Sequence, residues 1–221
     1  MTDEVATLPV AREAAAARRR SDGGRELTDS RGTGIVLGEL TAAARPRIAE
    51  ILRGSRVFSA AEVAVALELF DETFQEFGMR NAEGVDLHSA FRIPHSTPDY
   101  AFLGAFTPEN IVVGYACWGP TPATDRTWDL YWIAVDPALQ GVGIGTILLE
   151  EVERKLVGQH ARMLMVETSS RSDYAATRAF YERRGYAVAA TVRDFYAPGD
   201  DRIIFVKRFH SLAEGRGAES R

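Results

Sequence analysis

The stretch DLYWIAVDPALQGVGIGTILLEEVE, residues 129–153, decides the fold. It opens inside an apolar run that is typical of a β-strand, and Asp136-Pro137 ends that run. After residue 143, apolar side chains recur every four residues, the spacing of an amphipathic helix, at Ile144, Leu148, Val152 and Leu156. Between strand and helix lies the turn Gln140-Gly141-Val142-Gly143-Ile144-Gly145. Glycines let a backbone approach a ligand closely, and the first N–H groups of a helix attract anions, so we expect a ligand that carries phosphate.

Three phosphate-binding patterns compete for this turn. The Walker loop requires Lys followed by Ser or Thr after its last glycine, and neither follows here. The dinucleotide fingerprint requires Gly or Ala three residues after Gly143, where this chain has Thr146, which disfavours a dinucleotide oxidoreductase. The pattern [Q/R]-x-x-G-x-[G/A] fits at Gln140, Gly143 and Gly145. A glycine turn needed only for packing remains the alternative.

The segments around this stretch predict the order β-α-α-β-β-β-α-β-α-β-β. Upstream, residues 45–54 form a helix, and Ser59-Ala-Ala-Glu62 is a capping box that opens a second helix, which Gly78 closes. Residues 79–98 are typical of a loop. This order predicts an α/β protein with one mixed sheet and helices on both faces.

Composition and charge limit the classes of protein to which this chain can belong. The 221 residues are 46% hydrophobic and 26% charged, as in ordinary globular proteins. Residues 1–34 and 211–221 are each electrically neutral, and residues 21–34 have too few apolar side chains to offset the cost of ordering, so we expect a disordered N-terminal extension, a disordered tail and one folded domain at 35–210. That domain carries the net charge of −5. An acidic domain argues against nucleic acid as a partner and is compatible with a cationic amine.

The sequence shows no pattern typical of a membrane span, a secretory signal or a metal site. The chain has no apolar run of the roughly 18 residues that a membrane span needs, and its N-terminus does not resemble a secretory signal. Its one cysteine, Cys117, excludes an internal disulfide framework, and its four histidines show no paired spacing. We therefore expect a cytoplasmic protein that binds neither a membrane nor a metal.

The motifs above resemble the GNAT superfamily of acetyl-CoA-dependent N-acetyltransferases. The resemblance covers residues 35–209 and rests on the stretch 129–153, on YAATRAFYERRGY (174–186) and on the order of the strands. It implies the GNAT-type sheet, which is mostly antiparallel, and acetyl-CoA as cosubstrate. It also implies that backbone amides of the turn hold the CoA pyrophosphate. The implied cofactor-binding residues are Ile133, Ala134 and Val135 on a bulged strand that pairs with pantetheine, and Gln140, Gly141, Val142, Gly143, Ile144, Gly145 and Thr146 in the turn.

The resemblance places an acid at Tyr181. GNAT enzymes often have a tyrosine at this point of the FYERRGY motif, with its hydroxyl near the thioester sulfur. The departing thiolate must be protonated, and a phenol can deliver the proton at close range. The alternative is that Tyr181 only packs its ring. Seven residues earlier, Tyr174 stands where the family often has Asn, which puts side-chain contacts with CoA there in doubt.

A base is also needed, because a free alkylamine has a pKa of about 10.4 and must lose its proton before it attacks. Asp129 is the leading candidate, since some GNAT families carry a catalytic glutamate at this position of the strand; pairing with an arginine is the alternative. Glu167, His88 and His95 are weaker candidates for the base. Attack through Cys117 is disfavoured, because a free cysteine is commonly a small buried hydrophobe. His160 and His210 look structural.

The predicted function is transfer of acetyl from acetyl-CoA to a primary amine, by direct attack in a ternary complex. A small or amino-acid-like acceptor is favoured. Protein lysines or N-termini, and a non-catalytic acyl-CoA-binding module, are the alternatives. In this fold the acceptor pocket usually comes from the first two helices and the last strand pair, here residues 45–78 and 193–202. Candidate pocket residues are Asp194, Asp200 and Asp201 for charge, and Trp118, Tyr131, Trp132 and Phe195 for apolar walls. A homodimer is left open.

Overall fold

A computed structural model describes residues 26–28, 32, 34–83 and 100–209, without the side chains of 26 and 75–83. The predicted tail at 211–221, most of the predicted extension, and His88, His95 and His210 lie outside the described residues.

Eight strands and four α-helices make up the described chain. The strands form one sheet in the order β1-β2-β3-β4-β5-β6-β8-β7. Strands β5 and β6 pair in parallel, whereas β1–β2, β2–β3, β6–β8 and β7–β8 are antiparallel, so the predicted mixed, mostly antiparallel α/β sheet is confirmed. The elements are β1 Glu26–Thr28, β2 Gly34–Gly38, α1 Arg45–Gly54, α2 Ala60–Glu83, β3 Ala101–Phe106, β4 Val112–Pro120, β5 Thr127–Val135, α3 Ile144–Gly158, β6 Met163–Ser169, α4 Ala175–Glu182, β7 Ala187–Ala197 and β8 Asp200–Arg208.

Two elements differ from the sequence prediction. The three-residue strand β1 lies in a segment predicted to be linker, and it pairs with β2 from Glu26 opposite Val36 to Thr28 opposite Gly34. Main-chain pairing of this kind does not require the apolar side chains whose scarcity suggested a linker. Helix α2 continues through Gly78 to Glu83, so its predicted end was wrong. A single glycine costs a helix only about 1 kcal/mol, and good helix formers follow it here.

The described residues divide into two compact units. The first takes its described residues from Met1–Pro98, Phe102–Tyr115 and Ile133–Leu148. Its core contains the buried side chains Ile48, Ile51 and Leu52 of α1. Phe70 of α2 packs with its ring centroid 5.3 Å from that of Phe102 in β3. The predicted capping box is present, because Glu62 accepts the Ser59 amide at 2.7 Å and the Ser59 hydroxyl accepts the Glu62 amide at 3.2 Å.

The second unit takes its described residues from Asp99–Ala101, Ala116–Trp132 and Leu149–Arg221. Strands β6 and β8 form its centre, with Leu164, Val166 and Phe205 fully or almost fully buried. The parallel register of β5 and β6 runs from Thr127 opposite Met163 to Leu130 opposite Val166. Among the described residues, no helix combines the length and apolar character needed to cross a membrane.

Candidate active site

The glycine turn has a backbone that requires glycine. Gly141 has a φ of +79° and Gly143 a φ of +102°, values that residues with a Cβ rarely adopt. The Gly143 carbonyl accepts the amide of Ile147 at 3.0 Å and so opens helix α3. Val142 and Ile144 are buried on either side of Gly143, which anchors the turn while Gly141 stays exposed.

The backbone donors of this turn fit an anionic ligand. Within the part of the chain that the structure describes, the amides of residues 141–145 donate to no protein acceptor. A Cβ built on Gly141 would meet nothing within 4 Å, so there is open space beside the turn. These donors stand at the N-terminus of a 15-residue helix, where the helix dipole adds a partial positive charge. The turn therefore suits an anionic group such as a phosphate.

Strand β5, which precedes the turn, lies very close to strand β4. Ala134 is buried, and its carbonyl oxygen would lie 3.0 Å from a Cβ at Gly114 of β4. Only a glycine at 114 allows this close approach of β4 and β5 without a shift. The bulge expected near Ile133 and Val135, and their pairing with pantetheine, stay predictions.

An ion pair holds the residue that joins β5 to the turn. Arg47 of α1 places Nη2 against Oδ2 of Asp136, donates from Nε to the Val112 carbonyl at 3.1 Å, and donates from Nη1 to Glu50 at 2.9 Å. The other oxygen of Asp136 accepts the Ala138 amide at 2.9 Å and caps the 3₁₀ turn Pro137–Leu139. Sequence reasoning missed this pair, because its partners are 89 residues apart.

Tyr181 lies on α4 in the second unit and is almost fully buried. Its ring centroid is 5.4 Å from that of Tyr186 and 6.1 Å from that of Phe205. Burial raises the pKa of the Tyr181 phenol, and the charge of Arg184 opposes this in part. The hydroxyl is therefore neutral at physiological pH, the form that an acid needs.

The two carboxylate candidates for the base have different surroundings. Oδ2 of Asp129 on β5 accepts the Thr121 hydroxyl at 2.6 Å, so this carboxylate is oriented by an uncharged partner. Glu167 on β6 forms an ion pair with Arg202 of β8. An ion-paired carboxylate is a weaker proton acceptor, which favours Asp129 over Glu167. The proposed pairing of Asp129 with an arginine is not observed among the described residues.

Cys117 is fully buried in β4. Burial raises the pKa of its thiol, so the nucleophilic thiolate is disfavoured. This environment supports direct attack over a cysteine intermediate.

The acidic residues of the last hairpin are engaged within the protein. Asp200 is buried and accepts the Ser169 hydroxyl at 2.5 Å. Asp194 accepts the Gly199 amide at 2.7 Å, and Asp201 accepts the Asp194 amide at 2.9 Å. These bonds hold the three carboxylates within the last hairpin and against the end of β6, with Asp200 buried and Asp194 exposed, and their role toward an acceptor stays a prediction.

The aromatic residues expected to line an acceptor pocket differ in exposure. Trp118 is buried, whereas Tyr131 and Phe195 are 37% and 49% exposed. The Tyr131 and Trp132 rings stack with centroids 6.4 Å apart. The Arg202 guanidinium lies 4.8 Å from the centre of the Phe195 ring. Tyr131 and Phe195 are therefore the two large, exposed aromatic surfaces of this set.

A cavity of about 840 Å³ lies between α1 and α2, inside the region expected to form an acceptor pocket. One wall is apolar and includes Val63 and Leu67. Its charged lining includes Glu68 and the ion pair of Arg45 with Asp71, at 2.5 Å. Among the described residues, no group of three or more His, Cys, Asp or Glu side chains is placed to hold a metal ion.

Comparisons with known proteins agree with this fold. The model of the Acetyltransferase (GNAT) family matches residues 65–186, more than half of the chain. A crystal structure of a protein from Desulfovibrio desulfuricans, assigned to the acetyltransferases of the GNAT family, is 34% identical with a TM-score of 0.66. The likeness covers 79% of this chain and 98% of that one. The chain belongs to the GNAT acetyltransferase family.

More distant structures show the same fold. The ribosomal-protein-S18-alanine N-acetyltransferase of Escherichia coli is 19% identical with a TM-score of 0.57, over 82% of this chain and 97% of that one. The PaiA N-acetyltransferase of Thermoplasma acidophilum, solved with coenzyme A, is 17% identical with a TM-score of 0.52, over 79% and 99%. The uncharacterized protein YdhI of Bacillus subtilis is 38% identical over 58 residues, which is 26% of this chain and 35% of that relative's length.

Proposed function

We propose that this protein transfers an acetyl group from acetyl-CoA to a primary amine of a small-molecule or amino-acid-like acceptor, by direct attack in a ternary complex. The observation that carries the proposal is the glycine turn: its positive-φ glycines, its unpaired amides and the helix that it opens. Membership of the GNAT family supports acetyl-CoA as the donor.

The turn and the strand before it would hold the cosubstrate. Backbone amides of residues 141–145, with Gln140 and Thr146 at the ends, bind the diphosphate. The main chain of Ile133, Ala134 and Val135 binds the pantetheine arm. The cosubstrate supplies an activated acyl group on a thioester. Backbone N–H groups near the reacting carbonyl stabilise its developing negative charge, the kind of preorganised stabilisation that often dominates catalysis.

Two side chains move the protons. Asp129 accepts the proton of the attacking amine through a water molecule, and the Thr121 hydroxyl orients its carboxylate. Tyr181 donates a proton to the departing sulfur. Its phenol is neutral at physiological pH and so has a proton to give to the thiolate.

The acceptor amine is proposed to bind at the cavity between α1 and α2. Its carboxylates favour a cation, and Val63 and Leu67 offer an apolar surface to the rest of the molecule. Arg45 and Arg53 add positive charge to the same lining, which suits an acceptor that also carries an anionic group, such as an amino acid.

The test begins with binding and ends with turnover. Calorimetry should detect acetyl-CoA binding and no binding of NADH. Thiol release is then measured over a panel of polyamines, amino acids, aminoglycosides and peptides. Thiol release that depends on a small amine supports the proposal. Release with peptides alone favours the protein-acetylating alternative, and binding without any release favours the non-catalytic module.

A further inference from the structure

Arg47 joins three pieces of the first unit through one guanidinium group. Besides its ion pair with Asp136, it donates to the Val112 carbonyl of β4 and to Glu50 of its own helix. Its side chain is about one-third exposed, and that of Asp136 is 17% exposed. Exposed ion pairs contribute little to stability, so the importance of this half-buried pair lies in what it positions.

Asp136 fixes the direction in which the chain leaves β5. Its amide donates to the Val113 carbonyl at 2.9 Å, and its carbonyl accepts the Leu139 amide at 2.8 Å. One carboxylate oxygen caps the 3₁₀ turn through Ala138, and the other faces Arg47. Every polar group of Asp136 is thus engaged, four residues before the glycine turn begins.

A second contact of α1 lies at Pro137, the residue that follows Asp136. A Cβ built on Gly54, the last residue of α1, would lie 3.2 Å from Cγ of Pro137. The helix therefore approaches the 3₁₀ turn more closely than a side chain at position 54 comfortably allows. Arg47 and Gly54 together hold α1 against the entry to the glycine turn.

We infer that Arg47 is a positioning residue for the cosubstrate: through Asp136 it holds the entry of the glycine turn, so that the turn's amides are preorganised for the diphosphate of acetyl-CoA. This inference rests on the proposed function. A guanidinium contacts a carboxylate and a carbonyl at the same time through its rigid fork, which the single ammonium of lysine does not reproduce. A small misplacement of binding groups is enough to weaken a ligand substantially.

The test uses two conservative variants and their combination. Arg47→Lys keeps the charge and loses the fork, while Asp136→Asn keeps an oxygen that can cap the Ala138 amide. Calorimetry measures the acetyl-CoA dissociation constant at a temperature where circular dichroism shows every variant folded. We expect each single variant to bind acetyl-CoA about tenfold more weakly. Because the two residues act through each other, the double variant should bind no worse than about the weaker single variant.

Two control variants separate positioning from stability. Glu50→Gln removes the negative charge of the exposed partner of Arg47 and leaves the Asp136 contact, so its affinity should match wild type. Arg154→Lys weakens another bidentate pair, with Glu151, so whatever it does to the melting temperature should leave the affinity unchanged. Wild-type affinity in both Arg47→Lys and Asp136→Asn, or losses that add in the double variant, would overturn the inference. Failure of the wild-type protein to bind acetyl-CoA would instead overturn the proposed function.

Discussion

Replacing Gly143 with alanine tests whether the glycine turn is shaped for its ligand. Gly143 has a φ of +102°, beyond even the left-handed region near +50° to +70° that other residues sometimes enter. Holding a non-glycine residue in such a conformation costs about 1–3 kcal/mol. The cost must lower either the free energy of unfolding or the affinity for acetyl-CoA, and which of the two falls shows how rigid the turn is.

Two limits follow from this cost. If the turn keeps its conformation in Gly143→Ala, the free energy of unfolding falls by about 1–3 kcal/mol and the acetyl-CoA affinity is unchanged. If the turn relaxes, stability is retained, but the strain is restored on binding, and the affinity falls by roughly 5- to 150-fold, since about 1.4 kcal/mol is tenfold. Intermediate cases should divide the same total between the two quantities.

The assay is urea unfolding combined with calorimetric titration of acetyl-CoA, on three variants. Gly141→Ala, at a φ of +79° with open space around its Cβ, should lose less, about 1–2 kcal/mol in total. Gly158→Ala at the end of α3 has no positive φ and should lose nothing. The reasoning is refuted if Gly143→Ala matches wild type in both stability and affinity, or if the three variants do not follow this order.

Three further predictions address the reaction and the fold. Tyr181→Phe should lower kcat by about 10²- to 10⁴-fold with little change in acetyl-CoA affinity, and unchanged turnover would contradict its role as acid. Asp129→Asn, which can still accept the Thr121 hydroxyl, should lower kcat at every pH while the melting temperature stays near wild type; an equal loss in Thr121→Val would point to orientation alone. Above about pH 8.5 the unfolded chain loses the Cys117 proton that the folded chain keeps, so the free energy of unfolding should fall by about 1.4 kcal/mol for each further pH unit. Urea titrations at pH 7.5 and 9.5 measure this fall, and an equal fall in Cys117→Ala would contradict it.

Local pattern was enough to predict the elements around the glycine turn. The four apolar positions of α3 are all buried, and the capping box at Ser59 opens α2 where expected. These features depend on residues within four positions of each other, where periodicity and capping chemistry act directly. The short strand β1 was missed, because its pairing is a property of the main chain and leaves little mark on side-chain composition.

The parts of the site that were not predictable depend on long-range contacts. The pairing of Arg47 with Asp136 joins residues that look like ordinary surface charges in the sequence. Asp200 is likewise buried and bonded to Ser169, 31 positions earlier in the chain. Residue type and spacing carry no information about such partners. The roles of Tyr181 and Asp129 stay predictions that only kinetics can test.

The first strand of the last hairpin has a consequence for self-association. Strand β7 is the final strand in the sheet order, all eleven of its residues are exposed, and Phe195 and Tyr196 are about half exposed. An exposed edge strand of this kind can pair with a strand of another chain, which is the first step toward fibrils. Strand β7 has register irregularities between Val188 and Ala190 and between Val192 and Ala197. They interrupt the regular pattern of main-chain hydrogen-bonding groups that a strand from another chain would have to match. Deleting one irregular residue to straighten β7 would therefore create an aggregation-prone template.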